Sequence, residues 1–278
     1  MFKSLKIFFF NLFQKTLKVL PSGYACSLSN IRQIIMRRKI KFFHLKNQNL
    51  FKVESDFLTM FFNDKMRGLN TYSYGIKDRA MSLANTYNLN LIKFYNDDVF
   101  IDCGANYGDL YVWTLINKIK VKYISFEPSP REYECIKLNC VGQINNNLAL
   151  SNKTGTFDFY VNSSSGDSSL IEPATGFTKK VKAKTITLED YVLKNNLKKI
   201  KFFKLEAEGF EPEILDGSKG ILDRIEYIGV DGSPERGLKS ESTINQATEF
   251  LEKNNFKVIS SNINQFYAKA LFKNLNYL

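Results

Sequence analysis

The chain is poor in histidine and cysteine, and each scarcity excludes a kind of chemistry. Its 278 residues include one histidine, His44, which lies far from the motifs described below, so a Ser-His-Asp or Cys-His mechanism there has no base. The four cysteines form no Cys-x-x-Cys pair, so we expect free thiols in a reducing compartment and no metal site. They are Cys26, Cys103, Cys135 and Cys140.

Acidic residues are absent from the N-terminal part. Residues 1–46 contain ten Lys and Arg but no Asp or Glu, whereas the rest of the chain carries 29 basic and 28 acidic side chains. The net charge of +11 therefore belongs to an N-terminal arm. No run approaches the roughly 20 apolar residues of a membrane-spanning helix, and Asn11 interrupts the apolar core that a signal peptide needs.

The arm begins with a pattern typical of an amphipathic helix that Pro21 ends. A Phe-rich, lysine-bearing helix of this kind fits the surface of an anionic membrane, and docking on the rest of the protein is an equal alternative. The basic residues in 37–41 equally fit a nucleic-acid contact. We expect a cytoplasmic protein, with peripheral membrane contact through residues 1–20 as one of the two outcomes. The apolar positions are Phe2, Leu5, Phe9, Leu12, Phe13, Leu17 and Leu20.

From about residue 96 onward, short apolar runs alternate with helical patterns. Such alternation predicts an α/β fold with a doubly wound, mostly parallel sheet. We divide the chain into a basic, Phe-rich, mainly helical extension, residues 1–95, and an α/β domain, residues 96–278. A Ser- and Gly-rich loop at 162–179 is expected to be mobile. Predicted strands are 99–103, 121–127, 144–150, 155–161, 180–187, 199–205, 225–231, 256–260 and 266–272; predicted helices are 108–118, 131–141, 188–195, 211 onward and 242–254.

Residues 99–108 have the pattern of the first strand-turn-helix unit of a nucleotide-binding sheet. A short apolar run ends in a turn that contains Asp102, Gly104 and Gly108, and glycines let the backbone approach a ligand closely. Glu127 closes the next apolar run, where such folds place the carboxylate that binds two ribose hydroxyls. The turn alone also fits an ordinary strand-turn-helix unit, but Glu127 at this distance favours a nucleotide site.

The identity of the nucleotide is indicated by the residues of the turn. The pattern is Asp-x-Gly-x-x-x-Gly, with Asn106 between the glycines, and differs from the G-x-G-x-x-G of dinucleotide sites. Asp102 would repel a pyrophosphate but suits a ligand with a cationic end. S-adenosylmethionine, which carries an ammonium and a sulfonium, is such a ligand.

A third group of residues follows the predicted strand 199–205. Glu206 and Glu208 stand two positions apart, so on an extended backbone they would point the same way. Like charges held close raise one pKa, which suits a general base. Gly209 would leave room for an acceptor. Taken alone, the two carboxylates could equally cap the start of the next helix or lie in solvent there.

Together these residues resemble the FkbM-type methyltransferases over roughly residues 95–235. The resemblance implies a class I, Rossmann-like fold with a seven-stranded, mostly parallel sheet, S-adenosylmethionine as cofactor, and O-methylation of a sugar or other small-molecule hydroxyl. The family usually has Asp at the position of Glu206. The matching motifs are Asp102–Gly108, Glu127–Pro130, Leu148–Ser151, Thr187–Asp190 and Lys204–Glu211.

The resemblance also assigns roles to individual residues. Glu127 would hold the ribose, and Ala149 and Leu150 would lie near the adenine. The base is argued from the residues themselves: because the domain has no histidine, we expect a carboxylate, with Glu208 as base and Glu206 as a positioning group, or the reverse. The cofactor turn would consist of Asp102, Gly104, Ala105, Asn106 and Gly108.

Alternative functions remain open at this point. A catalytically silent cofactor-binding or scaffolding protein at a membrane surface fits the same residues, and a nicotinamide dehydrogenase fits them less well. A nucleic-acid methyltransferase is disfavoured, because the chain has no Pro-Pro motif to hold an extruded base and its near-neutral domain attracts phosphates weakly.

Overall fold

The computed structural model describes residues 2–162 and 166–277, so part of the loop that was expected to be mobile, residues 163–165, lies outside the described residues. The chain divides into two compact units, Met1–Arg79 and Ala80–Leu278. We call the first the N-terminal unit and the second the α/β unit. The helix that contains the boundary, Ile76–Thr86, is counted as α4.

The N-terminal unit combines helices with a three-stranded antiparallel sheet. Phe51 and Phe62, on neighbouring strands, stack their rings, and the ring centroids lie 5.3 Å apart. Asn30 joins a helix to the sheet, because its side chain accepts from Phe42 N at 2.7 Å and donates to Phe42 O at 2.9 Å. The elements are α1 Phe2–Val19, α2 Ser22–Ile35, β1 Ile40–Leu45, β2 Leu50–Ser55, β3 Leu58–Phe62 and α3 Lys65–Thr71.

The predicted amphipathic helix α1 forms and ends before Pro21. Its C-terminal half packs within the N-terminal unit: Leu17 is buried, and the Lys65 ammonium donates to the carbonyls of Lys18 and Leu20 at 3.0 and 2.8 Å. Phe9 and Phe10 remain half exposed or more. Among the residues that the structure describes, no helix is long and apolar enough to cross a bilayer.

The α/β unit is built on a seven-stranded sheet with the order β14-β15-β11-β10-β4-β5-β6. Neighbouring strands from β11 to β6 run parallel, and β15 is antiparallel to both of its neighbours. The strands are β4 Val99–Cys103, β5 Lys122–Phe126, β6 Ile144–Asn146, β7 Ala149–Leu150, β8 Gly155–Val161, β9 Lys179–Ile186, β10 Ile200–Leu205, β11 Ile225–Asp231, β12 Pro234–Arg236, β13 Glu241–Ser242, β14 Phe256–Ile263 and β15 Ala268–Asn274.

Helices lie in the connections between the parallel strands, as crossovers between such strands require. They are α5 Asp109–Ile116, α6 Pro130–Asn139, α7 Leu188–Lys194, α8 Glu211–Asp216 and α9 Ile244–Lys253. The predicted doubly wound, mostly parallel, seven-stranded sheet is thereby confirmed. Every residue of β10 and β11 is buried, as expected for central strands covered on both faces.

One predicted strand, 144–150, was wrong in its extent. The chain forms two separate strands there: β6 pairs with β5 in the large sheet, whereas β7 pairs with β9 in a three-stranded sheet of order β7-β9-β8. Between them, the Asn147 amide donates to the carbonyls of Glu127 and Pro128 at 2.9 and 3.1 Å. This side chain holds the turn that separates the strands.

Phe203 tests the contribution of the central strand to stability. It is fully buried in β10, so Phe203→Ala removes a ring and leaves a cavity, and we expect a loss of about 3–5 kcal/mol in the free energy of unfolding. Urea titration followed by the fluorescence of Trp113, the sole tryptophan, reports on this unit. Phe266→Ala, at an exposed position, is the control and should change stability by less than about 0.5 kcal/mol. Equal losses would contradict this assignment of the core.

Candidate active site

The candidate site lies where the adjacent parallel strands β4 and β10 end. Residues 104–108, called the first turn, follow β4, and residues 206–209, called the second turn, follow β10. In open α/β sheets ligands bind beyond the carboxyl ends of such strands. The two turns touch: Gly104 has φ +72°, and a Cβ there would lie 2.3 Å from the carbonyl oxygen of Glu206. Gly104 is therefore required for close packing of the two turns.

The ammonium of Lys204 lies between the two turns. It is within 3.0 Å of four oxygens although its side chain is only 2% exposed. Two are carboxylate oxygens, of Asp102 at 3.0 Å and Glu206 at 2.7 Å. The others are the carbonyl oxygens of Cys103 at 3.0 Å and Gly104 at 2.7 Å. A buried lysine needs such compensation, because removing a charge from water is costly unless the charge is paired.

Two phenols complete this arrangement, which we call the Lys204 network. Tyr87 donates to Glu206 Oε2 at 2.9 Å, and Tyr123 donates to Asp102 Oδ2. The network therefore consists of Tyr87, Asp102, Tyr123, Lys204 and Glu206. It joins the carboxyl ends of β4 and β10 to the first half of β5.

The charges of the network fix its ionisation. Burial alone would raise the pKa of Glu206, but the ammonium of Lys204 and then that of Lys269 lower it to about 2. Burial alone would lower the pKa of Lys204, but Asp102 and Glu206 raise it instead. Burial raises the pKa of Asp102, against the opposing effect of Lys204. Glu206 is thus held as a carboxylate beside a permanent cation, which makes it a poor proton acceptor.

Asp102 is 1% exposed, and its two oxygens face Lys204 and Tyr123. It was predicted to order the turn beside a cationic ligand. In the structure it orders the turn through Lys204, whose ammonium also binds the Gly104 carbonyl. Asp102 therefore acts on the first turn from within the sheet.

The first turn wraps around the end of β5. The amides of Gly104 and Ala105 donate to Phe126 O at 3.0 and 3.2 Å. Asn106 is left-handed, with φ 51°. Gly108, with φ +85°, leads into α5, and a Cβ there would meet Cys140 Sγ at 2.4 Å. The backbone of this turn is therefore set by protein contacts on both sides.

Glu127 follows β5 and meets the first turn. Its two oxygens accept from Asn106 N and Ser129 N, each at 2.9 Å. Burial, together with the nearby carboxylate of Glu132, raises the pKa of Glu127 to about 8, and Lys204 opposes this shift only weakly. Glu127 is therefore a buried carboxyl whose ionised form needs further donors.

Ala149 and Leu150 lie on β7, where they are buried and pair with Thr185 and Ile186. Asn147 connects the start of this segment to the backbone of Glu127. The structure thus brings the segment to the Glu127 turn, while the side chain of Leu150 belongs to the apolar core.

The second turn is organised by Glu211, a fully buried residue. Its Oε1 accepts from Ala207 N at 2.8 Å and Gly209 N at 3.1 Å, and its Oε2 accepts from the Thr243 hydroxyl at 2.7 Å. Burial raises its pKa to about 7. Gly209 has φ +93°, and a Cβ there would lie 2.4 Å from the Arg236 Cα. The room predicted beside Gly209 for an acceptor is therefore filled by Arg236, and that expectation was wrong.

Glu208 has an environment opposite to that of Glu206. It is left-handed, with φ 52°, and the Ser169 hydroxyl donates to its carbonyl at 2.9 Å. Burial, then the neighbouring carboxyls of Glu235 and Glu206, raise the pKa of Glu208 well above its ordinary range. Because β10 ends at Leu205, the alternation assumed for an extended chain does not continue, and the two glutamates meet different partners.

Several site residues were missed by the sequence analysis. Glu235, on β12, shares a hydrogen bond with Glu208, and burial with Asp231 raises its pKa to about 8. Ser169 lies in the loop that was expected to be mobile, yet it is buried. Tyr87 stands 119 positions from its partner Glu206. Only Lys204 had a local signal, because a lysine inside a buried, mostly apolar strand requires a buried anion.

The strand order, with its final antiparallel hairpin, and the site at the ends of β4, β5 and β10 define a class I methyltransferase fold, whose cofactor is S-adenosylmethionine. The family model described as Methyltransferase FkbM domain matches residues 102–258, more than half of the chain. The protein belongs to this family and is an S-adenosylmethionine-dependent methyltransferase. No curated protein matches it.

Solved methyltransferase structures resemble the chain distantly. The METTL16 MTase domain is 10% identical to this chain, with a TM-score of 0.47, and the match covers 90% of this chain and 92% of the METTL16 chain. TrmK from M. capricolum, in complex with S-adenosyl-homocysteine, is 12% identical, with a TM-score of 0.41, and the match covers 70% of this chain and 68% of the TrmK chain. The ribosomal protein L11 methylase from Lactobacillus delbrueckii subsp. bulgaricus is 11% identical, with a TM-score of 0.37, and the match covers 71% of this chain and 78% of the methylase chain.

Lys204→Met tests the Lys204 network. It leaves Asp102 and Glu206 without their cation, and we expect a loss of about 3–5 kcal/mol in the free energy of unfolding at neutral pH. The contribution of ionised Glu206 to the free energy of unfolding is fully present above its unfolded pKa of 4.5 and is lost as the pH falls through its folded pKa of about 2. The difference in stability between Lys204→Met and the wild type should therefore narrow in acid.

Urea titrations across this pH range measure the effect. Lys219→Met is the control, because Lys219 pairs with Asp216 at an exposed position, with 59% and 50% of the side chains accessible, and should cost less than about 1 kcal/mol. A loss from Lys204→Met no larger than that of the control would show that the network does not stabilise the fold.

Proposed function

We propose that this methyltransferase acts on a hydroxyl, with a sugar, a glycan or a related small molecule as the acceptor. One observation supports this chemistry above the others: the second turn presents Glu208, a carboxyl with a raised pKa, while Glu206 is held ionised by Lys204. A hydroxyl is a poor nucleophile until its proton is accepted, so its methylation calls for a base of this kind.

The residues around the first turn suit S-adenosylmethionine. A carboxylate offers about four acceptor positions, and backbone amides occupy two on Glu127, so we assign the remaining ones to the ribose hydroxyls. Ala149 and Leu150 would border the adenine. The backbone of Gly104, Ala105 and Asn106 would line the methionine end, with Gly108 and Asp102 fixing its shape.

The reaction needs few groups from the protein. Bound S-adenosylmethionine supplies a methyl on a sulfonium that leaves as a neutral thioether and requires no activation. Glu208 would accept the hydroxyl proton, and its hydrogen-bonded neighbour Glu235 would help to raise its proton affinity above that of an ordinary carboxylate. Glu206 would position the acceptor or cofactor through its fixed charge. The second turn, held by Glu211, aligns these groups.

Two further expectations remain proposals. Peripheral membrane contact through residues 1–20 is supported by the exposure of Phe9, Phe10 and Leu12 on α1. A catalytically silent binding protein is the competing function, and it differs from the enzyme in one respect: it would bind S-adenosylmethionine without transferring label to any acceptor. Labelled methyl transfer into nucleotide sugars, glycan precursors and lipids distinguishes the two.

The assignment of Glu127 predicts proton release on cofactor binding. With a pKa of about 8, Glu127 is mostly protonated at pH 7, and hydroxyl donors favour its charged form. Binding should therefore release up to about one proton near pH 7 and tighten as the pH rises to about 9. Isothermal titration of S-adenosylmethionine in two buffers of different ionisation enthalpy measures the protons released.

Glu127→Gln should abolish the proton release and weaken binding by roughly 10- to 150-fold, the equivalent of one charge-assisted hydrogen bond. Glu134→Gln, at an exposed position on α6, is the control and should leave both quantities unchanged. Proton release that persists in Glu127→Gln would assign the titrating group elsewhere.

Glu208→Gln tests the base. The substitution keeps the shape and removes the basicity, so turnover should fall by roughly 10²–10⁴-fold with S-adenosylmethionine affinity preserved. Because the base must be ionised to accept a proton, the wild-type rate should decline as the pH falls below the raised pKa of Glu208, and the residual rate of the variant should lack that dependence. Glu252→Gln, exposed on α9, is the matched control. Full activity in Glu208→Gln would show that another group accepts the proton.

A further inference from the structure

The outer face of α2 is apolar and exposed. Four large side chains lie on it within about 100° of one another around the helix axis, given 100° per residue. They are Tyr24 at 69%, Ile31 at 54%, Ile34 at 74% and Ile35 at 72% exposure. The opposite face is buried and contains Ala25, Cys26, Ser29 and Gln33.

Single exposed apolar residues are normal on protein surfaces, but a contiguous stripe of large ones marks an interaction site. The stripe on α2 extends over three turns of the helix, and Met36, the residue that follows the helix, is also 52% exposed. Its burial would remove four or five large apolar side chains from water. A partner surface or a membrane is therefore expected to cover it.

Basic residues follow the stripe directly. Arg37, Lys39 and Lys41 are exposed, and the Arg38 guanidinium lies 4.2 Å from the ring centroid of Tyr74. A groove of about 560 Å³ opens beside this end of α2. Its lining residues are Asn30, Ile34, Arg38, Lys39, Ile40, Lys41, Glu54 and Asp56.

Cations predominate in the groove. It contains Arg38, Lys39 and Lys41 against two carboxylates, and one of these, Glu54, is paired with Lys52 at 2.7 Å. An anionic group of head-group size would meet more cations than anions there. Apolar side chains next to such cations are the arrangement of an interfacial helix, in which burial and electrostatic attraction act together.

We propose that α2 is a membrane-docking helix, which inserts Tyr24, Ile31, Ile34 and Ile35 into an anionic leaflet while the adjacent groove receives lipid head groups. This goes beyond contact through residues 1–20 and is independent of the methyl transfer. A second copy of the chain is a poorer occupant, because residues 1–46 contain ten Lys and Arg and no Asp or Glu, so two copies repel each other there whereas an anionic leaflet attracts the same residues.

The test uses the full-length protein with vesicles of pure phosphatidylcholine and of phosphatidylcholine with phosphatidylserine. We expect binding to the anionic vesicles at low salt and little to the neutral ones. The double variant Ile34→Ser/Ile35→Ser should bind roughly 100-fold more weakly, about tenfold for each side chain withdrawn from the bilayer. Both positions are exposed, so the fold is preserved, which circular dichroism and S-adenosylmethionine titration check.

Two further variants separate the contributions. Lys39→Gln/Lys41→Gln should reduce binding to anionic vesicles by roughly fivefold per charge and flatten its salt dependence. Phe266→Ser, at an exposed apolar position in the α/β unit, should bind as the wild type does.

Wild-type protein that ignores anionic vesicles at low salt would overturn the proposal, as would unchanged binding of the isoleucine variant. Sedimentation that changes from dimer to monomer in that variant, without vesicle binding by the wild type, would assign the stripe to self-association. Methyl transfer is measured separately on vesicle-free protein, so failure of the docking surface and failure of the enzymatic proposal are distinguishable.

Discussion

The buried ammonium of Lys204 is the interaction on which the site depends. A cation inside a sheet of apolar strands must be surrounded by oxygens, and here β4, the first turn and the second turn each provide at least one. This requirement brings the two turns into contact, and contact at that distance requires glycine at position 104. The shape of the first turn is thus a consequence of one charge in the neighbouring strand.

The same charge separates two chemically identical side chains. Glu206 and Glu208 are two residues apart, yet the pKa of one is lowered to about 2 and that of the other is raised. The ammonium of Lys204 stabilises the charged form of Glu206, whereas burial and neighbouring carboxyls favour the neutral form of Glu208. Environments that move two acids in opposite directions are how one fold provides both a fixed charge and a proton acceptor.

The sequence predicted those parts of the fold that have local signals. Strands β4, β5, β10 and β11 are apolar runs bounded by turns, and they were found at nearly their observed limits. The sheet β1–β3 was missed because its alternation, buried at every second residue of β2, is hidden in a Phe-rich segment. Tyr87 and Glu235 reach the site only through tertiary folding, and Arg236 fills a space that the sequence alone suggested was open.

The left-handed conformation of Glu208 has an evolutionary meaning. A glycine would adopt φ 52° without strain, and it would also remove a buried carboxyl from beside Glu235. Selection for thermal stability alone would therefore favour the substitution Glu208→Gly, at the expense of the group that we assign as the base. A position where the native residue opposes stability is one that stabilising design should leave untouched.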